Sequence, residues 1–408
     1  QLGGTSSEIG FSIAFDQEGN VYTTGLFQGS GDFDPGAGAF ILSAVGGNDV
    51  FISKLDSAGN FLWAKAMGST SDDRATSIAT DPSGNVYTTG YFEGTMDFDP
   101  GAGTFNLTAG LDDAFISKLD SSGNFIWVKQ IGSTSLDGGR AITIDAWGNI
   151  YTAGEFEGTV DFDPGTGTYN LIAYSLAYDA FILKLDSAGN FVWAKQLGGT
   201  SVDVINAIAV DGPGNVYTTG VFFGTSDFDP GASTFNLTPS GGEDLFISKL
   251  DSAGNFVWAG QIGGSSNDIG ASLILDSADN IYVAGYFLGI CDFDPAPGIF
   301  NLTSAGDYDF FTVKMSQEVF TGGNENDFSA SVSTFPNPSG GQVNLSFGHS
   351  LNHATILLFN TTGQKVMEKE NVSGNQFDLD FSSLPDGIYF IKMVGDDKIA
   401  GVKKIIKQ

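Results

Sequence analysis

The sequence predicts an all-β chain: a β-propeller of about five four-stranded blades, followed by a small β-sandwich. Three observations predict it. Asp-Phe-Asp-Pro begins at Asp32, Asp97, Asp161, Asp227 and Asp292, with spacings of 65, 64, 66 and 65 residues. Self-similarity at such a period is the signature of a repeat architecture. Each unit holds four short segments rich in β-branched and aromatic residues, and no stretch keeps a helical period. The segments are apolar on both faces, as in a blade packed between two neighbours. A two-layer sandwich would alternate polar and apolar residues instead.

The second unit shows the elements in order. Residues 77–80 are a short strand, Asp81-Pro-Ser-Gly84-Asn85 a turn, and residues 86–93 a second strand. A long excursion carries Asp97-Phe98-Asp99-Pro100 and ends in Phe105-Asn-Leu-Thr108. Residues 114–119 are a third strand, Asp120-Ser-Ser-Gly123-Asn124 a second turn, and residues 125–131 a fourth strand. Asp-x-x-Gly-Asn suits a type I turn followed by a left-handed glycine, with the aspartate satisfying turn amides. The period also carries Lys54, Lys118, Lys184, Lys249 and Lys314, and Trp63, Trp127, Trp193 and Trp258. The lysines read as stems packed between blades and paired to repeated aspartates, and the tryptophans as core. Trp147 breaks the repeat inside a tight turn and reads as an exposed contact.

The array occupies residues 1–315. Gln1-Leu-Gly-Gly-Thr-Ser aligns with Gln196-Leu-Gly-Gly-Thr-Ser, so the chain opens in the middle of a fourth strand, without initiator Met or signal peptide. The unit ending near Lys314 lacks a fourth strand of its own. Either the N-terminal segment supplies it and closes a five-bladed ring, or further blades lie upstream; truncation is expected in both cases.

Charge narrows the function. Residues 1–318 hold 10 basic and 39 acidic side chains, and the whole chain carries a net charge of -31. Such a surface repels phosphate backbones and anionic lipid and favours cations, so nucleic acid is excluded as a partner. No apolar run reaches the ~20 residues of a membrane span. The single Cys291 excludes an intrachain disulfide framework and any multi-cysteine metal site.

Two resemblances follow from the motifs. Asp-x-x-Gly-Asn-Val-Tyr, then Asp-Phe, then Ala-Phe-Ile-x-Lys-Leu-Asp over residues 81–120 resembles the bacterial β-propeller repeat family, and the match recurs through residue 315. It implies the fold and leaves the activity open. Residues 316–334 are polar, break the period and read as a linker. Residues 335–408 hold strand candidates at 342–347, 354–360, 364–369, 376–380, 388–394 and 398–406. Pro336-Asn337-Pro338, Leu358-Phe-Asn-Thr-Thr-Gly363-Gln, Leu384-Pro-Asp-Gly387-Ile-Tyr389 and Lys403-Lys404-Ile-Ile follow in order. Together they resemble the type A C-terminal sorting domain of the type IX secretion system. That resemblance implies outer-membrane secretion machinery as a partner, and a secreted or cell-surface protein of a Gram-negative bacterium.

Candidate chemistry lies on one rim. Topology places the tight turns on one face, and the Asp-Phe-Asp-Pro excursions on the other with the inter-blade links. Those links carry Glu8, Asp73, Asp137, Asp203 and Asp268, so the second face is the candidate functional face. The pairs Asp32/Asp34, Asp97/Asp99, Asp161/Asp163, Asp227/Asp229 and Asp292/Asp294 are open to two readings. Carboxylates at i and i+2 suit calcium, with carbonyls completing an oxygen shell. The same residues suit caps of a Pro-Gly turn, with the phenylalanine filling the gap between blades. Catalysis has few candidates: His349 and His353 lie outside the array, only Arg74 and Arg140 could clamp an anion, and the acids repeat. The chain is therefore expected not to be an enzyme, but a binding or adhesion scaffold for a surface glycan or protein. The alternative is a carbohydrate-active enzyme with non-repeating carboxylates about 5–10 Å apart at the funnel. Asp-Ser-Ala at Ser57, Ser187, Ser252 and Ser277 resembles an O-glycosylation acceptor of the same bacteria.

Overall fold

The Asp-x-x-Gly-Asn segments form the expected turns. In the computed structural model Asp81 Oδ1 accepts the amides of Ser83 and Asn85, and Oδ2 accepts the Asn85 side-chain amide and the Tyr87 hydroxyl. Gly84 closes the turn at φ 75°, which costs glycine nothing. The same turn in the last unit holds Asp279 at φ 57°, one of the residue types that tolerate this region. The structure describes residues 2–175, 177–295, 298–316, 333–360, 364–395 and 398–408. The chain divides into two compact units, Gln1–Phe320 and Thr321–Gln408.

Turns of this kind join strands into blades. Blade 2 is one antiparallel sheet of Arg74–Thr80, Val86–Asp97, Asn106–Leu119 and Phe125–Ile131. Blade 1 is Glu8–Phe15, Val21–Phe27, Asp49–Leu55 and Phe61–Met67. Blade 3 is Gly138–Ile144, Ile150–Phe156, Asp179–Leu185 and Phe191–Gly199. Blade 4 is Asp203–Val210, Val216–Phe223, Glu243–Leu250 and Phe256–Gly264. Blade 5 has three described strands, Asp268–Leu275, Ile281–Phe287 and Asp309–Met315. The first strands of successive blades lie side by side, the arrangement of a propeller around a channel.

Lysine and tryptophan lock neighbouring blades. Lys54 pairs with Trp63 across the third and fourth strands of blade 1. Lys54 Nζ and Trp63 Nε1 both donate to Ser121 O of blade 2, at 3.2 Å each. Lys184 and Trp193 of blade 3 reach Ser252 O of blade 4 in the same way, at 3.2 and 3.3 Å. The Lys54 ammonium also lies 4.8 Å from the Tyr22 ring and 3.8 Å from Asp16 Oδ2, so the expected stem-and-carboxylate packing holds there.

Each excursion forms a short hairpin, such as Ser30–Asp32 with Ile41–Ser43 and Thr159–Asp161 with Asn170–Ile172. The tail of the preceding fourth strand grips it: Gly198 pairs with Asp227, and Gly263 with Asp292. Gly3 pairs with Asp32 in the same manner. The N-terminal segment therefore holds the first hairpin and is not an outer strand of blade 5, which corrects the ring-closure expectation. The outer flanks of the array stay uncovered in this chain. Ile13 of blade 1 is 57% exposed, whereas its counterpart Ile78 in blade 2 is 5% exposed. Phe310 of blade 5 is 77% exposed, whereas its counterpart Leu245 is fully buried.

The second unit is one five-stranded sheet of Ser333–Phe335, Gln342–Asn360, Lys365–Asp380, Gly387–Gly395 and Lys398–Lys407. Four of the expected strands merge into two long ones, whose pairing slips register between Ser346 and Ile356. Bulges of this kind bend a strand without ending it, which a search for turn residues does not detect. Leu345, Ile356, Leu358, Phe381, Tyr389 and Ile405 are among its core. Asn337 Oδ1 accepts the Ile406 amide at 2.9 Å, and the Tyr389 hydroxyl donates to Pro385 O at 2.6 Å. Two of the motif segments thus bind the chain's last strand or their own turn. The linker expected at 316–334 falls mainly outside the described residues, as does Gly363.

Candidate functional site: the central channel

In every blade one extra residue interrupts the pairing of the first strand with the second. These residues are Phe11, Thr76, Arg140, Asn206 and Ala271. A bulge re-aims its side chain, and it demands room on the partner strand. Glycine supplies that room: a Cβ on Gly90 would lie 1.9 Å from Arg74 O. Gly25, Gly154, Gly220 and Gly285 meet the first strand of their own blades equally closely.

All five bulge residues line one cavity of about 350 Å³, together with Arg74, Ile269 and Tyr286. Arg140 also lines a second cavity of about 280 Å³, with Tyr91, Asp112, Glu155 and Tyr178. The turns and the blade core repeat, but these positions do not. Their repeat-equivalents differ in charge, size and polarity, which puts the variable chemistry of the array in its channel.

Charge is arranged unevenly there. The half-exposed Arg140 pairs with Glu155 through Nε and Oε2 at 2.5 Å. Burial raises the Glu155 carboxyl above its ordinary range, and Arg140 opposes that rise. Arg74 is placed differently. Its guanidinium carbon lies 5.1 Å from the Phe11 ring and 5.3 Å from the Tyr91 ring. Its Nε is buried and has no hydrogen-bond partner among the described residues. Burial raises the Asp112 carboxyl, as do Glu93, Asp113 and Asp72, while Arg74 lowers it.

The link acids do not form the exposed rim that the sequence suggests. Asp73, Asp137, Asp203 and Asp268 are buried. Asp73 Oδ2 accepts the Ser69 amide at 2.6 Å, and Asp203 Oδ2 the Gly199 amide at 2.8 Å. They staple the link to the strand before it. Burial, only partly offset by these bonds, pushes Asp73 and Asp137 up to about 6 and Asp203 up to about 7.

The Asp-Phe-Asp-Pro pairs sit away from the channel, in the excursion hairpins. Asp97 Oδ1 accepts the amides of Asp99 and Phe105. Asp32, Asp161, Asp227 and Asp292 likewise accept the amides of the second aspartate and of the aromatic residue eight positions on. The second aspartates cap the next turn. Asp34 Oδ1 accepts the Gly36 amide at 2.7 Å. Asp99, Asp163 and Asp229 accept the amides of Gly101, Gly165 and Gly231 at 2.8 Å. Asp294 gives its own amide to Asp292 Oδ1 at 3.1 Å. Phe98 is buried against Phe92 and Phe115.

Among the described residues no three His, Cys, Asp or Glu side chains gather as a metal cluster. The structure places Asp32 and Asp34, Asp97 and Asp99, Asp161 and Asp163, Asp227 and Asp229, and Asp292 and Asp294 in turn-capping hairpins, the second of the two readings, with their remaining oxygens left to the calcium reading. One oxygen of each leading aspartate is committed to turn amides. The geometry is that of turn caps. Calcium at these loops would have to draw on the other carboxylate oxygens, carbonyls and water. Trp147 stands exposed in its turn. The thiol of Cys291 is buried and raised by burial and by Asp268, which makes it a poor nucleophile.

Sequence reasoning named Arg74 and Arg140 as anion clamps but missed their aromatic and acidic neighbours. The available signal was the glycine recurring inside every second strand, since a strand glycine marks a bulge or a close backbone approach.

Comparison with known proteins agrees with the two units. The Beta-propeller repeat family matches residues 1–26, 63–91, 192–221 and 257–286. The Secretion system C-terminal sorting domain family matches residues 333–408. An uncharacterized WD repeat-containing protein of Acanthamoeba polyphaga mimivirus is 25% identical over 55% of this chain and 19% of its own length. The regulatory protein FlaEY of Caulobacter vibrioides is 24% identical over 41% of this chain and 17% of its own length. The chain thus spans less than a fifth of these curated relatives. A crystal structure of a protein of unknown function from Bacteroides caccae aligns with 87% of this chain and 98% of its own, at 10% identity and a TM-score of 0.31. No helix among the described residues is long and apolar enough to cross a membrane. The sorting domain directs export by the type IX secretion system, so this is a secreted or cell-surface protein. From its repeats, its bladed sheets and its terminal sheet, the chain is a β-propeller repeat array that carries a type IX C-terminal sorting domain.

Proposed function

We propose that the exported propeller is a binding or adhesion scaffold whose ligand enters the central channel. One observation carries this reading. The array repeats its turns, locks and core, yet five bulges deliver five different side chains to a single cavity. A purely structural repeat has no reason to vary in charge, size and polarity at these five positions. Small-ligand sites are concave, mostly apolar and furnished with a few polar groups, and Phe11, Ile269 and Tyr286 with Arg74, Thr76 and Asn206 meet that description.

The test is an array of bacterial and host glycans and surface proteins, probed with the full chain and with Tyr91→Ala/Tyr286→Ala. Selective binding that the double variant loses, at an unchanged melting temperature, is the expected outcome. An array that stays blank, or binding that the variant keeps, would remove the channel from consideration.

The enzymatic alternative draws on Asp112 and Glu155, two non-repeating acids at one cavity. It requires turnover of a bound glycan that Asp112→Asn and Glu155→Gln each abolish. Binding without turnover selects the scaffold.

A further inference from the structure

We infer that the channel takes a sugar acid, a saccharide with one carboxylate among several hydroxyl groups. The inference rests on the binding reading above and names its ligand class.

The chain has only two arginines against 48 acidic residues, and both line the same cavity. Arg140 is neutralised by Glu155. Arg74 is not neutralised: its Nε is buried without a partner and its guanidinium is flanked by Phe11 and Tyr91. In so acidic a protein, carboxylates are the most abundant side chains that could pair with it. Asp112 is near enough to feel its charge, yet no ion pair forms between them. A guanidinium flanked by rings, with its Nε buried and unpaired, is costly until an acceptor arrives. A planar carboxylate matches its fork in two parallel hydrogen bonds.

The surroundings limit how much negative charge can enter. Arg74 is in no ion pair among the described residues, Asp112 is near enough to feel its charge, and Asp112 and Glu155 line the neighbouring cavity that shares Arg140. A polyanion would bring its further charges against those carboxylates. Hydroxyl groups would instead donate to them. Phe11, Ile269 and Tyr286 offer apolar faces to the C–H side of a sugar ring. The cavity of about 350 Å³ lies within the ~300–1,000 Å³ range of small-ligand sites.

The experiment is calorimetric titration of the full chain with sialyllactose and an aldobiouronic acid, each beside its methyl ester, and with a triglutamate peptide. One or both acids should bind at least about tenfold tighter than the matching ester, a gap of ~1.4 kcal/mol. Arg74→Met should erase that gap at an unchanged melting temperature, and Arg74→Lys should keep part of it. Equal affinity for acid and ester, a gap that survives Arg74→Met, or tighter binding of triglutamate would overturn the inference. Were neither acid to bind while the array finds another channel ligand, the sugar-acid class falls and the scaffold stands. If the array is also blank, both fall together.

Discussion

Gly90 shows how much can hang on a missing methyl group. The first strand of its blade bulges towards the channel, and Arg74 O occupies the space a Cβ would need. Nothing flexible can yield, because the obstructing atom belongs to the backbone. Gly90→Ala should therefore destabilise the chain by about 3 kcal/mol, at the upper end of overpacking costs. Urea unfolding of the full chain would read this as a lower midpoint at an unchanged slope. By contrast, Thr76→Ala removes a bulge side chain that donates to Gly139 O and should cost only ~1 kcal/mol. A Gly90→Ala protein as stable as the parent would mean that the bulge is not rigid.

The blade is the element that the sequence declared most openly. Turn chemistry is local, so Asp81, Gly84 and Asn85 could be read as a turn before any fold was known, and the structure places every predicted hydrogen bond. Lys54 and Trp63 were legible through their period. Three features were not. The bulges involve a single residue, and a sequence does not display pairing. The link acids look like any polar loop residues until packing buries them. The long strands of the terminal sheet run on through their bulges, past Gly348 and Gly374, where turn residues read in sequence mark an end. The terminal element also carries a prediction of its own. Deleting residues 333–408 should leave the propeller's cooperative melting intact and strand it in the periplasm. Cell fractionation with surface protease digestion would report this, and normal surface delivery would contradict the sorting role.

Charge governs the molecule as a whole. The net charge is -31, and several carboxyls are buried where they titrate late. Burial pushes Asp49, Asp179 and Asp244 up to about 6, as it does Asp73 and Asp137, and Asp203 up to about 7. An acid whose folded pKa is raised stabilises the fold fully below its unfolded value, near 3.9. That stability is lost as pH rises through 6–7. The turn acids act oppositely. Hydrogen bonds from the Asn60 side chain and amide lower Asp56, and those of Asn280 lower Asp276, so their contribution disappears as pH falls below ~4. The melting temperature should climb from pH 8 to pH 5 and drop again under pH 3.5, as scanning calorimetry across that window would show. A flat profile would remove the buried acids from the stability of the fold. Salt offers a separate handle. With one oxygen of each leading aspartate spent on amides, calcium and sodium chlorides at matched ionic strength should raise the melting temperature equally, by screening. A larger calcium gain, abolished by Asp97→Asn with Asp99→Asn, would instead assign coordination.

The five bulges also separate evolvability from stability. Turns, locks and buried acids hold each blade, and the side chains at Phe11, Thr76, Arg140, Asn206 and Ala271 add at most one hydrogen bond each to a neighbouring blade, as Thr76 and Asn206 do. Five codons, scattered along the gene yet adjacent in space, can therefore be randomised together as a combinatorial library. Exchanging whole 65-residue units would shuffle the same five letters in new orders. On this plan a new specificity is spelled by recombination between repeats, without redesigning the scaffold that displays it.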